Sequence, residues 1–111
     1  MAVAVMGSEL AIIQPSGSVN ASNVLEFEHQ LTTAILSDKH SGLLVDLYRV
    51  EFLDSAGLLA LVSAFRLAQL QQRRFSLCSV TPAIRMIFEL TQLDRAFEIF
   101  ENRDACMAAM N

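Results

Sequence analysis

At 111 residues, 53% of them apolar and with a formal net charge of −4, the chain has room for one domain, residues 1–111, with a real though not generous core. That much apolar surface excludes disorder, and no Lys/Arg cluster beyond the Arg73-Arg74 pair offers the basic face that nucleic acid wants. The longest apolar stretches, residues 42–47 and 57–62, fall far short of the roughly 20 residues a membrane-spanning helix needs, so no membrane span is expected.

Residues 1–6 and 9–14 read as two short strands, with Gly7-Ser8 as the turn between them. The apolar start is short, carries no Lys or Arg and does not read as a signal peptide, so a cytoplasmic protein is expected. Residues 15–18 close the second strand. A helix then begins near Asn20, whose side-chain oxygen suits an N-cap, and Val24, Phe27, Leu31 and Ile35 recur on its apolar stripe. Residues 37–42 are polar, end in Gly and read as a loop. Residues 43–48 form a compact apolar run interrupted by Asp46, as expected of a central strand covered on both faces. Residues 49–54 lead out of it.

Ser55 opens a second helix running to about residue 72, with Leu58, Val62, Phe65 and Ala68 or Gln69 as its buried stripe. Residues 75–80 read as another strand. Thr81-Pro82 is a helix start, because Thr caps and Pro at the first helical position loses no needed amide. Ile84, Ile87, Phe88 and Leu90 or Thr91 supply the core face of that helix, and Met86 is expected in the core. A last short strand covers residues 96–100. Asn102 caps a final helix, residues 103–110, with a weak stripe of Ala105, Ala108 and Ala109 adjoined by Cys106 and Met110. The order is β-β-α-β-α-β-α-β-α: an α/β fold in which a mixed sheet packs against about four helices.

Phosphate-cradling loops of the GxGxxG and GxxxxGK[ST] kinds are absent, as are HExxH and GxSxG. His29 lies on the polar face of the first helix and His40 in a loop, and neither is placed by sequence against a Ser or Cys, so no enzyme is expected. Cys78 and Cys106 are far apart, with no CxxC or His-rich spacing; no metal and no cofactor is expected, and Cys78 is expected to be a small buried hydrophobe. The unusual constellation is Phe52-Leu53-Asp54-Ser55-Ala56-Gly57-Leu58, between a buried strand and a very apolar helix. A Ser at a helix N-terminus has free backbone amides beside it and the positive end of the macrodipole, a setting in which a phosphate is tolerated. Asp54 or Ser55 as a plain N-cap, with Gly57 allowing close packing, is the simpler reading of the same residues.

The stretch Leu44-Val45-Asp46-Leu47, followed by Val50-Glu51-Phe52-Leu53-Asp54-Ser55-Ala56-Gly57-Leu58, resembles the signature of STAS domains, in which a hydrophobic-D-L strand precedes V-x-F-hydrophobic-D-S-x-G-L running into a helix. Residues 77–93 are similar to the family's next strand, its x-P-x-V helix and its closing G-L, and Gly17-Ser18-Val19-Asn20 resembles its G-x-hydrophobic-D. Two departures stand out: Asn20 replaces the frequent Asp, and Thr91-Gln92-Leu93 lacks the glycine before the leucine. The resemblance implies a bacterial anti-sigma-factor antagonist with Ser55 as its phosphorylation site. The partners it implies are an anti-sigma factor that is also a serine kinase, and a PP2C-type phosphatase that resets the switch. It also implies a monomer that forms complexes with other proteins. Asn20, Asp54, Ala56, Gly57 and Leu58 would line the partner-binding surface, with Leu59 as a further apolar contact.

Four other readings compete. The chain is a STAS scaffold of another bacterial signalling complex; it binds a nucleotide or other small ligand near Asp54 and Ser55; it is a transporter's cytoplasmic tail, against which Met1 and the missing span speak; or it is a small hydrolase using Ser55, for which no base is placed.

Overall fold

The computed structural model describes residues 2–6 and 10–110. The proposed turn at Gly7-Ser8 lies outside the described residues. In chain order the elements are β1 (Ala2–Met6), β2 (Leu10–Gln14), β3 (Gly17–Val19), α1 (Val24–Leu36), β4 (Gly42–Asp46), β5 (Val50–Leu53), α2 (Ser55–Leu70), β6 (Arg74–Cys78), α3 (Pro82–Leu90), a 3-10 turn (Leu93–Arg95), β7 (Glu98–Phe100) and α4 (Arg103–Met110).

Five strands form a mixed sheet in the order β1-β2-β4-β6-β7, with β1 antiparallel to β2 and the remaining neighbours parallel. β4 sits at the centre with every residue buried, as its unbroken apolar run requires. Period-2 alternation divides the sheet's side chains between two faces. Ala11, Ile13, Leu43, Val45, Phe75 and Leu77 pack in the larger core under α1, α2 and α3. Leu10, Ile12, Leu44 and Cys78 share a smaller cluster with Cys106 of α4, flanked by Phe100 and Met107. Edge-to-face contacts of Phe97 with Phe65 and Phe88, ring centroids 5.5 and 5.4 Å apart, tie α2 and α3 to the 3-10 turn.

A second, two-stranded parallel sheet pairs β3 with β5. By sequence both segments read as connections, residues 15–18 closing the second strand and residues 49–54 leading out of the central one. Gly17 adopts φ +72° and donates its amide to the Arg49 carbonyl at 2.9 Å, which starts the pairing beside a register shift between Gly17 and Ser18. Three residues are too few for an alternation to show, so only the tertiary pairing reveals the strand.

Several helix faces differ from their expected ones. In α2 the buried positions are Gly57, Ala60, Leu61, Ala64 and Ala68, while Leu58, Val62 and Phe65 are half-buried beside the core. Ala60 and Ala64 lie beside Leu31 and Thr32 of α1, Gly57 lies against β3 and β5, and Leu61 is the large side chain that stays fully buried. In α3 only Ile84 and Phe88 are buried; Leu90 is exposed and Met86, expected in the core, is 61% exposed. In α4 the anchors are Cys106 and Met107, whereas Ala108 and Ala109 are exposed. β7 begins at Glu98, because Ala96 and Phe97 still close the 3-10 turn through bonds to the Leu93 carbonyl.

A polar cluster holds each end of the sheet, Asp46 at the C-terminal end of β4 and Glu98 at the N-terminal end of β7. Asp46 is buried; it accepts from the Tyr48 amide at 2.9 Å and from Gln14 Nε2 at 3.2 Å, and pairs with Arg103 Nε at 2.6 Å. Nearer the other end, Glu98 accepts both arms of the Arg74 guanidinium at 2.7 Å, and this partner holds its carboxyl below the usual carboxylate range. Among the described residues no helix is long and apolar enough to cross a membrane.

Candidate functional site

β5 delivers the chain to Asp54, which stands in extended conformation, φ −88° and ψ −174°, immediately before α2. There it is the N-cap: its Oδ1 accepts from the Gly57 amide at 3.0 Å, satisfying one of the amides that a helix start leaves without an intrahelical acceptor. The Asp54 carbonyl then accepts from the Leu58 amide at 3.0 Å. Of the two N-cap candidates in the sequence, Asp54 caps and Ser55 is the first helical residue, exposed to solvent. The Ser55 hydroxyl therefore stands at the positive end of a 16-residue helix.

The second carboxylate oxygen of Asp54 faces the β3–α1 connection. Oδ2 accepts from the Ala21 amide at 3.1 Å, and the Asp54 amide donates to the Val19 carbonyl at 3.2 Å. One residue thus caps α2 and ties two segments 33 positions apart. The residue 20–23 turn has an order of its own. Asn20 Oδ1 accepts from the Ser22 amide at 2.9 Å and from the Ser22 hydroxyl; the Asn20 amide donates to Asn23 Oδ1 at 2.9 Å; Asn23 Nδ2 donates to the Ser18 carbonyl at 2.8 Å. Asn20 is therefore not the N-cap of α1. Asn23 holds that position, and Asn20 closes the turn before it.

Gly57 does not line a surface. It is buried, and a Cβ there would lie 2.9 Å from Leu53 Cδ2, 2.9 Å from the Val19 carbonyl oxygen and 3.1 Å from Val19 Cγ1. Its role is to let α2 close onto β3 and β5, which is what brings Asp54 within reach of Ala21. Ala56 and Leu58 are half-buried against the core. The exposed apolar groups nearby in sequence are Phe52, at 52%, and Leu59, at 64%, one helical turn beyond Ser55 on the same face. Of the residues singled out in the sequence, Asn20, Asp54 and Ser55 are brought to one end of α2, with Ala56 and Leu58 beneath them. Ala21 was missed, because a backbone amide that donates to a distant carboxylate leaves no trace in residue type.

Other chemistry-bearing groups lie elsewhere. His29 and His40 line a cleft of about 270 Å3 with Gln30, Thr33, Ala34 and Ser37, and Ser55 is not among its lining residues. Among the described residues no three His, Cys, Asp or Glu side chains are grouped so as to hold a metal ion. Burial and, after it, the Asp46 carboxylate push the Cys78 thiol up to about 11, so it is a poor nucleophile at neutral pH.

Comparison with known proteins places this geometry in a family. The chain is similar to BtrV of Bordetella bronchiseptica, assigned as an anti-sigma factor antagonist, with 29% identity over 93% of this chain and 86% of that protein. Among solved structures it superposes on an anti-sigma factor antagonist of Mycobacterium paratuberculosis with a TM-score of 0.85 and 24% identity, covering 99% of this chain and 92% of that one. It also superposes on the Bacillus cell fate determinant SpoIIAA in its phosphorylated form, with a TM-score of 0.76 and 18% identity over 97% of each chain. At these identities the structural likenesses establish the fold. The family model of the STAS domain matches residues 3–106, and the chain belongs to the STAS domain family.

Proposed function

We propose that this protein is an anti-sigma-factor antagonist of the bacterial cytoplasm, a protein-interaction module without catalysis of its own. Unphosphorylated, it binds an anti-sigma factor that is also a serine kinase, and so releases a sigma factor. Phosphorylation of Ser55 ends that binding, and a PP2C-type phosphatase restores it. Family membership and the likeness to BtrV support the antagonist role. The observation that carries the switch is the exposed Ser55 at the first turn of α2, next to a carboxylate already held by two backbone amides.

The docking face consists of Ser55 and Leu59 on α2 and Asn20 on the neighbouring turn. Asp54 sets its shape, and Ala56 and Leu58 support it from below. A phosphate adds about −1.5 to −2 charges beside Asp54. Against a docked partner that charge loses water or meets repulsion, a cost on the order of several kcal/mol. Since about 1.4 kcal/mol is tenfold in affinity, one phosphate is enough to end binding, and no refolding is needed.

The test is binding of an anti-sigma factor from the source cell by Ser55→Ala and Ser55→Asp variants, beside intact-mass measurement of the native protein with and without phosphatase. Ser55→Ala should bind and Ser55→Asp should not. Equal binding by the two variants would refute the electrostatic switch.

A further inference from the structure

We infer that Asp54 is a positioning residue through which the phosphorylation state of Ser55 sets the order of the residue 20–23 turn. The inference rests on the Ser55 switch proposed above and extends it to a second segment of the surface. Its basis is the divided loyalty of a single carboxylate. One oxygen holds the Gly57 amide and fixes the start of α2; the other holds the Ala21 amide and fixes the turn. The turn's remaining side-chain hydrogen bonds join Asn20, Ser22, Asn23 and Ser18 to one another, so they give it shape without tying it to α2. Val19, just before the turn, packs on Gly57, and the hydrogen bond that ties residues 20–23 themselves to the helix start is the one from Ala21 to Asp54.

The two bonds are not equal. The one to Gly57 is partly buried, and Gly57 itself is packed under Val19 and Leu53. The one to Ala21 is exposed to solvent. A phosphate ester on Ser55 places a second, larger negative charge beside the Asp54 carboxylate, and the two anions compete for the same helix-end amides. Like-charge repulsion is relieved most easily by turning the carboxylate away on its solvent side. The exposed bond to Ala21 is then lost first, because water replaces it at little cost, while the bond to Gly57 keeps the cap. The helix stays formed and the turn is released. Phosphorylation thereby does more than add charge at one point: it loosens the neighbouring segment that carries Asn20.

The experiment uses the full chain with phosphoserine installed at position 55 through stop-codon suppression, and reads backbone amide hydrogen exchange by NMR. The Ala21 amide should exchange about tenfold faster in the phosphorylated protein, the loss expected for one hydrogen bond to a charged group, while Gly57 changes by less than about twofold. An Asp54→Asn variant should show fast exchange at Ala21 from the start, because its amide keeps one acceptor for Gly57 but presents N–H groups where the second oxygen was. Phosphoserine should then add nothing further at Ala21, and the variant's melting temperature should stay near that of the parent. A merely structural role for Asp54 would lower the melting temperature and leave the effect of phosphoserine on Ala21 unchanged. Equal protection of Ala21 with and without phosphoserine, in the parent chain, overturns the inference whatever the variant does. If phosphoserine abolishes capture of the anti-sigma factor while Ala21 stays protected, this coupling fails and the proposed switch stands. If Ala21 loosens while capture is undiminished, the coupling stands and the proposed switch fails.

Discussion

Replacing Gly57 by alanine tests the packing that brings Asp54 to its two partners. In an exposed helix this change stabilises by about 1 kcal/mol, because glycine is the worse helix former. Here the new methyl would meet Leu53 Cδ2 and the Val19 carbonyl oxygen, both at 2.9 Å, and Val19 Cγ1 at 3.1 Å. The leucine methyl can rotate aside. The carbonyl cannot, because it is backbone of a three-residue strand and accepts the Asp54 amide at 3.2 Å. Backing β3 away strains that bond and the Asp54–Ala21 bond with it. Overpacking of this kind costs about 1–3 kcal/mol, and the backbone contact puts it in the upper half of that range. Offsetting the helix-propensity gain leaves a net loss of about 1–2 kcal/mol. For a chain of this size that corresponds to a melting temperature lower by about 4–8 °C. Thermal and urea unfolding followed by circular dichroism would measure it, with the urea slope unchanged if the native state stays compact. A melting temperature equal to or above that of the parent refutes the close-packing argument, since propensity would then have outweighed the contacts. Binding of the anti-sigma factor should weaken in the same variant.

Further outcomes are expected. Arg103→Ala should lower stability by about 1–3 kcal/mol in urea titrations, because it leaves the buried Asp46 carboxylate with the Gln14 and Tyr48 bonds alone; no loss would mean that the ion pair does not hold α4. Cys78, raised from 9.0 to about 11 chiefly by burial, and Cys106, raised by burial, favour the folded state fully below the unfolded thiol range. As pH climbs through about 9 to 11, the unfolded thiols ionise first, so unfolding midpoints should fall over that window; a double Cys→Ala variant that showed the same fall would assign it elsewhere. Leu59→Arg should leave the melting temperature within about 2 °C, since the side chain is mostly exposed, and should abolish capture of the anti-sigma factor; capture at parental strength would remove Leu59 from the docking face.

Much of this protein is legible locally. The apolar run 43–48, interrupted by Asp46, announces a buried strand, Val24, Phe27, Leu31 and Ile35 repeat at helical spacing, and Asn102 caps α4 by accepting the Ala105 amide at 2.8 Å. These features depend on residues within a few positions of one another, which is the range over which periodicity and capping act. The Asp54-Ser55-x-Gly57 turn was visible for the same reason. Only the tertiary structure decided the rest. The β3–β5 pair joins a three-residue segment to a strand more than 30 positions away, and neither partner alone buries enough to show a pattern. Which face of α2 is buried depends on what lies against it, so Ala60 and Ala64 face α1, Gly57 meets β3 and β5, and Leu58, Val62 and Phe65, expected in the core, are half-buried beside it. Asp46 found Arg103 across 57 positions and Asp54 found Ala21 across 33. A carboxylate's identity is written in the sequence. The amide or guanidinium that satisfies it is chosen by whichever distant segment folding carries within about 3 Å, and short-range patterns hold no record of that choice.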